Sequence, residues 1–224
     1  MASSFVQGKG NVNLGGTSVV VTLDGAVAAG NLLVGFLYYA DSAGTLSISD
    51  TVNGSWPAQI LQQFRPSNDR RIAAFAFENS AAGTPTITGS TTGTSNVIAI
   101  VVCEVTGVLT SGALSQQASA SGTSATPSSG TLTPAGGFEF FVGGAFADAN
   151  TWSLGSGYSN LILDNSTPGS QREAMESRRH NAADAVTFSI TSSQWACIGL
   201  TFSESAVGSP FPGSSQQFFV RRRA

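Results

Sequence analysis

Few residues in this 224-residue chain could do chemistry. There is one histidine, His180, at the end of Gln171-Arg172-Glu173-Ala174-Met175-Glu176-Ser177-Arg178-Arg179-His180, the densest charge cluster of the sequence. A serine hydrolase would need a serine elbow and an orienting carboxylate around that histidine. No Gly-x-Ser-x-Gly occurs, and no carboxylate can be assigned to the role. A glycoside hydrolase needs two carboxyl groups facing each other across a cleft. Glu78, Glu104 and Glu139 each stand alone on their strands, and Glu173 and Glu176, three apart, face opposite sides of a strand. One histidine and two separated cysteines exclude a zinc site. Asp50 with Asn53, Asp148 with Asn150 and Asp164 with Asn165 read as Asx turns rather than calcium ligands. No glycine loop sits at a strand-to-helix junction to cradle a phosphate. The expectation is a chain with no catalytic residue, no metal and no cofactor. Sugar recognition needs exposed aromatics with polar neighbours. Trp56, Trp152 and Tyr158 are the candidate glycan-facing residues, with Tyr38 and Tyr39 of the same type, although core packing is the preferred reading for all five, since β-sandwiches bury aromatics heavily.

The composition narrows the class. Charged residues make up 10% of the chain, Lys9 is the only lysine, and the formal net charge is −3. Ordinary soluble domains carry roughly 25% charged residues. A surface this neutral is either solvated by hydroxyl groups or covered by other subunits. Net negative charge argues against nucleic acid as a partner. No apolar run approaches the roughly 18 residues of a membrane span. The first residues lack the basic and apolar regions of a secretion signal, so synthesis in a cytoplasm is expected. Cys103 and Cys197 lie in apolar runs and read as buried thiols; a disulfide between them stays open on spacing alone.

The elements that must position these residues are strands. Gly30-Asn31 launches the run Leu32 to Tyr39, which is apolar on both faces and therefore central. Asp50 to Gly54 is a tight turn leading to Trp56. Asn96 to Thr106 is a second long buried strand. Leu114, Gln116, Ala118 and Ala120 alternate as in an edge strand. The pattern then repeats about 100 residues further on. Gly136-Gly137 precedes the run Phe138 to Phe146, Arg71 to Glu78 is echoed by Arg172 to Arg179, and Ile98 to Val105 by Trp195 to Phe202. The halves, about 5–107 and 112–206, fit either two tandem sandwiches or alternate strands of one larger sandwich. The second is preferred, because each half alone has few strands and uncovered apolar faces. The fold expected is thus all-β: a single antiparallel β-sandwich of jelly-roll or Greek-key type over 1–206, built from two similar halves.

The strand "GNLLV" at Gly30 to Val34, the turn Ser49-Asp50 with Gly54 and Trp56, the Ser/Thr-rich middle and the late Ser193, Trp195, Ala196 together resemble a jelly-roll module of phage virion structural proteins. The resemblance spans residues 5–204. It implies a non-enzymatic virion component, such as a capsid decoration or cement protein or another head or tail part. Partners would be further copies of the chain and other virion proteins, with a carbohydrate-binding adhesin module as the alternative. Residues 207–224 (VGSPFPGSSQQFFVRRRA) read as an extended C-terminal arm. Phe211, Phe218, Phe219, Val220, Arg221, Arg222 and Arg223 are its candidate assembly contacts.

Overall fold

The computed structural model describes residues 1–94, 96–148, 151–164 and 172–205. Every regular element among them is a strand. The first half contributes β1 (Ser4–Gly16), β2 (Ser18–Thr22), β3 (Leu32–Tyr39), β4 (Leu46–Asp50), β5 (Gly54–Ser55), β6 (Leu61–Phe64), β7 (Arg71–Phe77), β8 (Thr86–Thr91) and β9 (Asn96–Thr106). The second contributes β10 (Leu114–Ser124), β11 (Ser128–Leu132), β12 (Glu139–Ala147), β13 (Trp152–Leu154), β14 (Ser159–Leu163), β15 (Arg172–His180), β16 (Asp184–Ile190) and β17 (Ser193–Ser203).

All pairings between these strands are antiparallel, in four sheets. The first half forms a five-stranded sheet, β1-β9-β3-β7-β6, and a smaller one, β2-β8-β4-β5. The second repeats that order as β10-β17-β12-β15-β14 and β11-β16-β13, with no counterpart of β5 among the described residues. The sandwich architecture and the two similar halves are as expected. The interleaving is not: no sheet takes strands from both halves. Each half pairs its own strands, because its successive strands cross back and forth between two sheets that are already complete.

The two five-stranded sheets then pack face to face. The layer between them holds Leu32, Val34, Phe36 and Tyr38 of β3 and Phe140, Val142 and Phe146 of β12, all buried. The other face of β3, with Leu33, Leu37 and Tyr39, packs on Val19, Val21, Leu46, Ile48 and Ile87 of the smaller sheet. This answers what covers both faces of the central strand: the chain itself does. The burial patterns follow. β3 and β12 are buried at every position, whereas β2 alternates exposed and buried, as an outer layer facing water must. Each fully buried Leu or Phe in these layers contributes roughly 1.5–3 kcal/mol.

The halves meet about an approximate two-fold axis. Gly8 and Gly10 of β1 lie against Ile162 and Leu163 of β14. Its counterpart is β6 on β10, where Ser119 Oγ donates to Gln63 Oε1 at 2.8 Å. Val108 and Glu204, the chain segments leaving the two halves, pair antiparallel at the same axis. At its centre the backbone of Gly144 touches the Phe36 ring, and a Cβ there would overlap it. Cys103 lies in the middle layer and Cys197 in an outer one, so both are free thiols.

Gly144→Ala should cost about 1–3 kcal/mol, since no void exists for the added methyl. The check is the urea midpoint of the variant against the parent; an unchanged midpoint would contradict the stacking of β12 on β3.

Candidate functional site

The aromatic residues expected to face a glycan do not. Trp56 is 6% exposed, Trp152 8% and Tyr158 7%. Trp56 fills the layer between the first half's sheets, and Trp152 and Tyr158 fill the equivalent layer of the second. Trp152 stands edge-on to Phe188 at 5.4 Å, and the Tyr158 ring carries the Arg178 guanidinium at 4.4 Å. Large side chains are needed there because each five-stranded sheet faces a smaller partner. No sugar platform forms from these three. The candidate arm residues Phe211, Phe218, Phe219, Val220, Arg221, Arg222 and Arg223 lie outside the described residues.

The Ser49-Asp50 to Trp56 signature is a structural clasp. Asp50 Oδ1 accepts the backbone N–H of Val52 at 2.7 Å and of Asn53 at 2.6 Å. Its Oδ2 accepts Trp56 Nε1–H at 2.7 Å and Asn53 Nδ2–H at 3.0 Å. Burial opposes ionisation of Asp50, but these four hydrogen bonds outweigh it and hold the carboxyl below its usual range. Gly54 takes φ +81°, the left-handed conformation that the turn requires.

His180 sits edge-on to Phe141 at 5.7 Å. Partial burial and the nearby Arg178 push its pKa down. Among the described residues no hydroxyl and no carboxyl group hydrogen-bonds it. The carboxyl groups have other work. Glu78 caps the backbone N–H of Gly112 and Ala113, and Glu176 accepts those of Gly155 and Thr187. Asp148, at the end of β12, accepts from Arg65 and Arg70 of the β6–β7 turn, each at 2.6 Å, and so ties one half to the other.

The most distinctive polar features lie at one end, where the chain leaves each half. In the first half Glu104 is fully buried and satisfied. Its Oε1 accepts Asn31 Nδ2–H at 2.6 Å and Ala28 N–H at 2.9 Å, and its Oε2 accepts Gln7 Nε2–H at 2.7 Å. Strand register puts Thr201, Glu139 and Gln116 at the equivalent positions of the second half. The acid has moved from the β9 position to the first residue of β12. Glu139 Oε1 accepts Ser115 Oγ–H at 2.7 Å and Ala135 N–H at 3.1 Å, but its Oε2 and Thr201 Oγ1 are buried without partners. Glu139 lines a cleft of about 370 Å³ with Gly136, Phe138, Ser203, Glu204 and Ser205. Beside it Glu204 pairs with Arg179, whose guanidinium lies 3.7 Å over the Phe138 ring. Burial works against ionisation of Glu204, yet hydrogen bonds from Arg179 and Ser3 bring its pKa to about 2. Sequence spacing misses this site. The signal present was Glu139 at the head of an apolar run, in the place that Asn31 takes in the first half.

Two further carboxyl groups, Glu173 and Glu176, are fully buried on β15. Burial raises the pKa of Glu176 from 4.5 to about 7, and burial followed by the nearby Asp164 raises that of Glu173 well above 4.5. A carboxyl whose folded pKa is raised binds its proton more tightly folded than unfolded. Its stabilisation is full below about pH 4.5 and is lost as pH rises. For Glu176 the loss runs from pH 4.5 to 7 and amounts to roughly 3 kcal/mol. Urea unfolding at pH 5 and pH 7.5 should show a less stable protein at the higher pH. Glu176→Gln and Glu173→Met should each shrink that difference, and equal stability of the parent at both pH values would refute the assignment.

No family model, no curated protein and no solved structure matches this chain.

Proposed function

We propose that this chain is a non-enzymatic structural protein of a phage virion, a capsid decoration or cement protein or another head or tail component. It acts through contacts with copies of itself and with other virion proteins. One observation carries the reading. Among the described residues, apart from Met1, the two most exposed large apolar residues, Leu14 (61%) and Val6 (47%), lie on β1, and Val20 lies on the adjoining β2. Both strands are sheet edges. Asn11 and Asn13 of β1 cap the carbonyl groups of Val20 and Ser18, which joins the two strands into one wall. The one charged side chain of this wall, Lys9, is paired with Asp24, and the apolar side chains of Val6, Leu14 and Val20 are left to contact protein. The low charge and the resemblance of the strand and turn motifs to virion modules point the same way.

The closed faces of β3 and β12 do not support assembly, since the chain covers them itself. The contacts must therefore come from the edge wall and from residues 207–224. A carbohydrate-binding role loses its platform with Trp56, Trp152 and Tyr158 in the core.

Size-exclusion chromatography with light scattering should show a concentration-dependent oligomer. Leu14→Lys with Val20→Lys, and separately removal of 207–224, should shift it toward monomer without changing the β-type circular dichroism. A parent chain that stays monomeric at high concentration argues against this function.

A further inference from the structure

The two halves repeat the same polar node at the same end of the fold, and only one copy is complete. In the first half, donors from Asn31, Ala28 and Gln7 occupy both oxygens of Glu104. In the second half, Glu139 is 3% exposed and its Oε2 meets no donor among the described residues. A buried carboxyl oxygen left without a donor has lost its hydration with no hydrogen bond in return. Such a site is completed by a group that brings the donor. The charges say which kind. Among the described residues the cation paired at this cleft is Arg179, and it is committed to Glu204. His180, the cross-strand partner of Glu139, is held toward its neutral form by burial and Arg178. The half-exposed Phe138 ring also lines the cleft and already carries the Arg179 guanidinium over it, so the ring accepts a flat cation here. A cleft of about 370 Å³ lies at the small end of ligand pockets, where the end of a side chain or a small amine fits.

We propose that this cleft binds an organic cation, a guanidinium or primary ammonium group, which donates to Glu139 Oε2 beside the Phe138 ring. Neither the cleft nor its chemistry depends on the assembly role. The cation has two sources: a molecule from outside, or the chain's own Arg221, Arg222 or Arg223, since the chain continues from Ser205 at the rim.

The test is an amide NMR titration of the full chain with N-acetyl-arginine amide and with its neutral isostere, N-acetyl-citrulline amide. It is run on the parent, on Glu139→Gln, and on the triple variant Arg221→Gln, Arg222→Gln, Arg223→Gln. Saturable shifts at Gly136, Phe138, Ser203 and Ser205 with the arginine probe, at least tenfold weaker with citrulline and in Glu139→Gln, support the site. Equal binding to parent and triple variant assigns an outside source, and binding to the triple variant alone assigns the chain's own arginines. Absence of saturable shifts in both, or equal response to arginine and citrulline, overturns it. The arginine–citrulline comparison needs no substitution at Glu139, so it decides the question even if Glu139→Gln does not fold.

Discussion

The structure depends on one contact layer, the apolar sheet-to-sheet interface where β3 of one half lies on β12 of the other. Each half is a pair of sheets with a filled interior, but its larger sheet has a second apolar face. Left in water, Leu32, Val34, Phe36 and Tyr38 and their counterparts would form a patch far larger than monomeric proteins expose. The halves solve this by covering each other. The close approach of Gly144 to Phe36 marks where side-chain volume sets the spacing. The chain therefore resembles an isologous dimer with its two protomers joined in one polypeptide.

Polar groups set the register of this stack at its margins. Asp148 joins the halves at one end by accepting from Arg65 and Arg70. At the other, Val108 and Glu204 pair across the axis. Within the halves, Asp50 organises one turn and Glu104 another, each through several donors. Such fully satisfied nodes specify a single arrangement, because any shift of register would strand a carboxyl group in an apolar layer. The second half departs from the first where it carries unpartnered groups, at Glu139, Thr201 and Glu173. Duplicated halves are free to diverge in this way. The copy that keeps the complete node maintains the fold, and the other can accept a group from elsewhere.

This arrangement changes what the surface can be used for. Strand faces that read as interfaces in the sequence are interior in the folded chain. What remains outside is a weakly charged shell, an apolar edge wall at β1 and β2, and the end where the chain leaves the body.

Much of this was written locally. Alternation and β-branched runs predict the strands, Asp50 to Trp56 predicts its own turn, and the likeness of the halves follows from residues in order. The edge strand from Leu114 is legible in the same way. A strand apolar on both faces must be covered twice, and Leu32 to Tyr39 says so without ambiguity. It does not say by what, since a period of two records burial and not the partner. The tertiary structure decided that the sheets of each half are built from its own strands, and that the second cover is the other half rather than another molecule. It also decided that Trp56, Trp152 and Tyr158 face inward, and that Glu139 stands where Asn31 stands while lacking its counterpart's partners. These outcomes depend on contacts between residues about 100 positions apart, which local pattern does not encode.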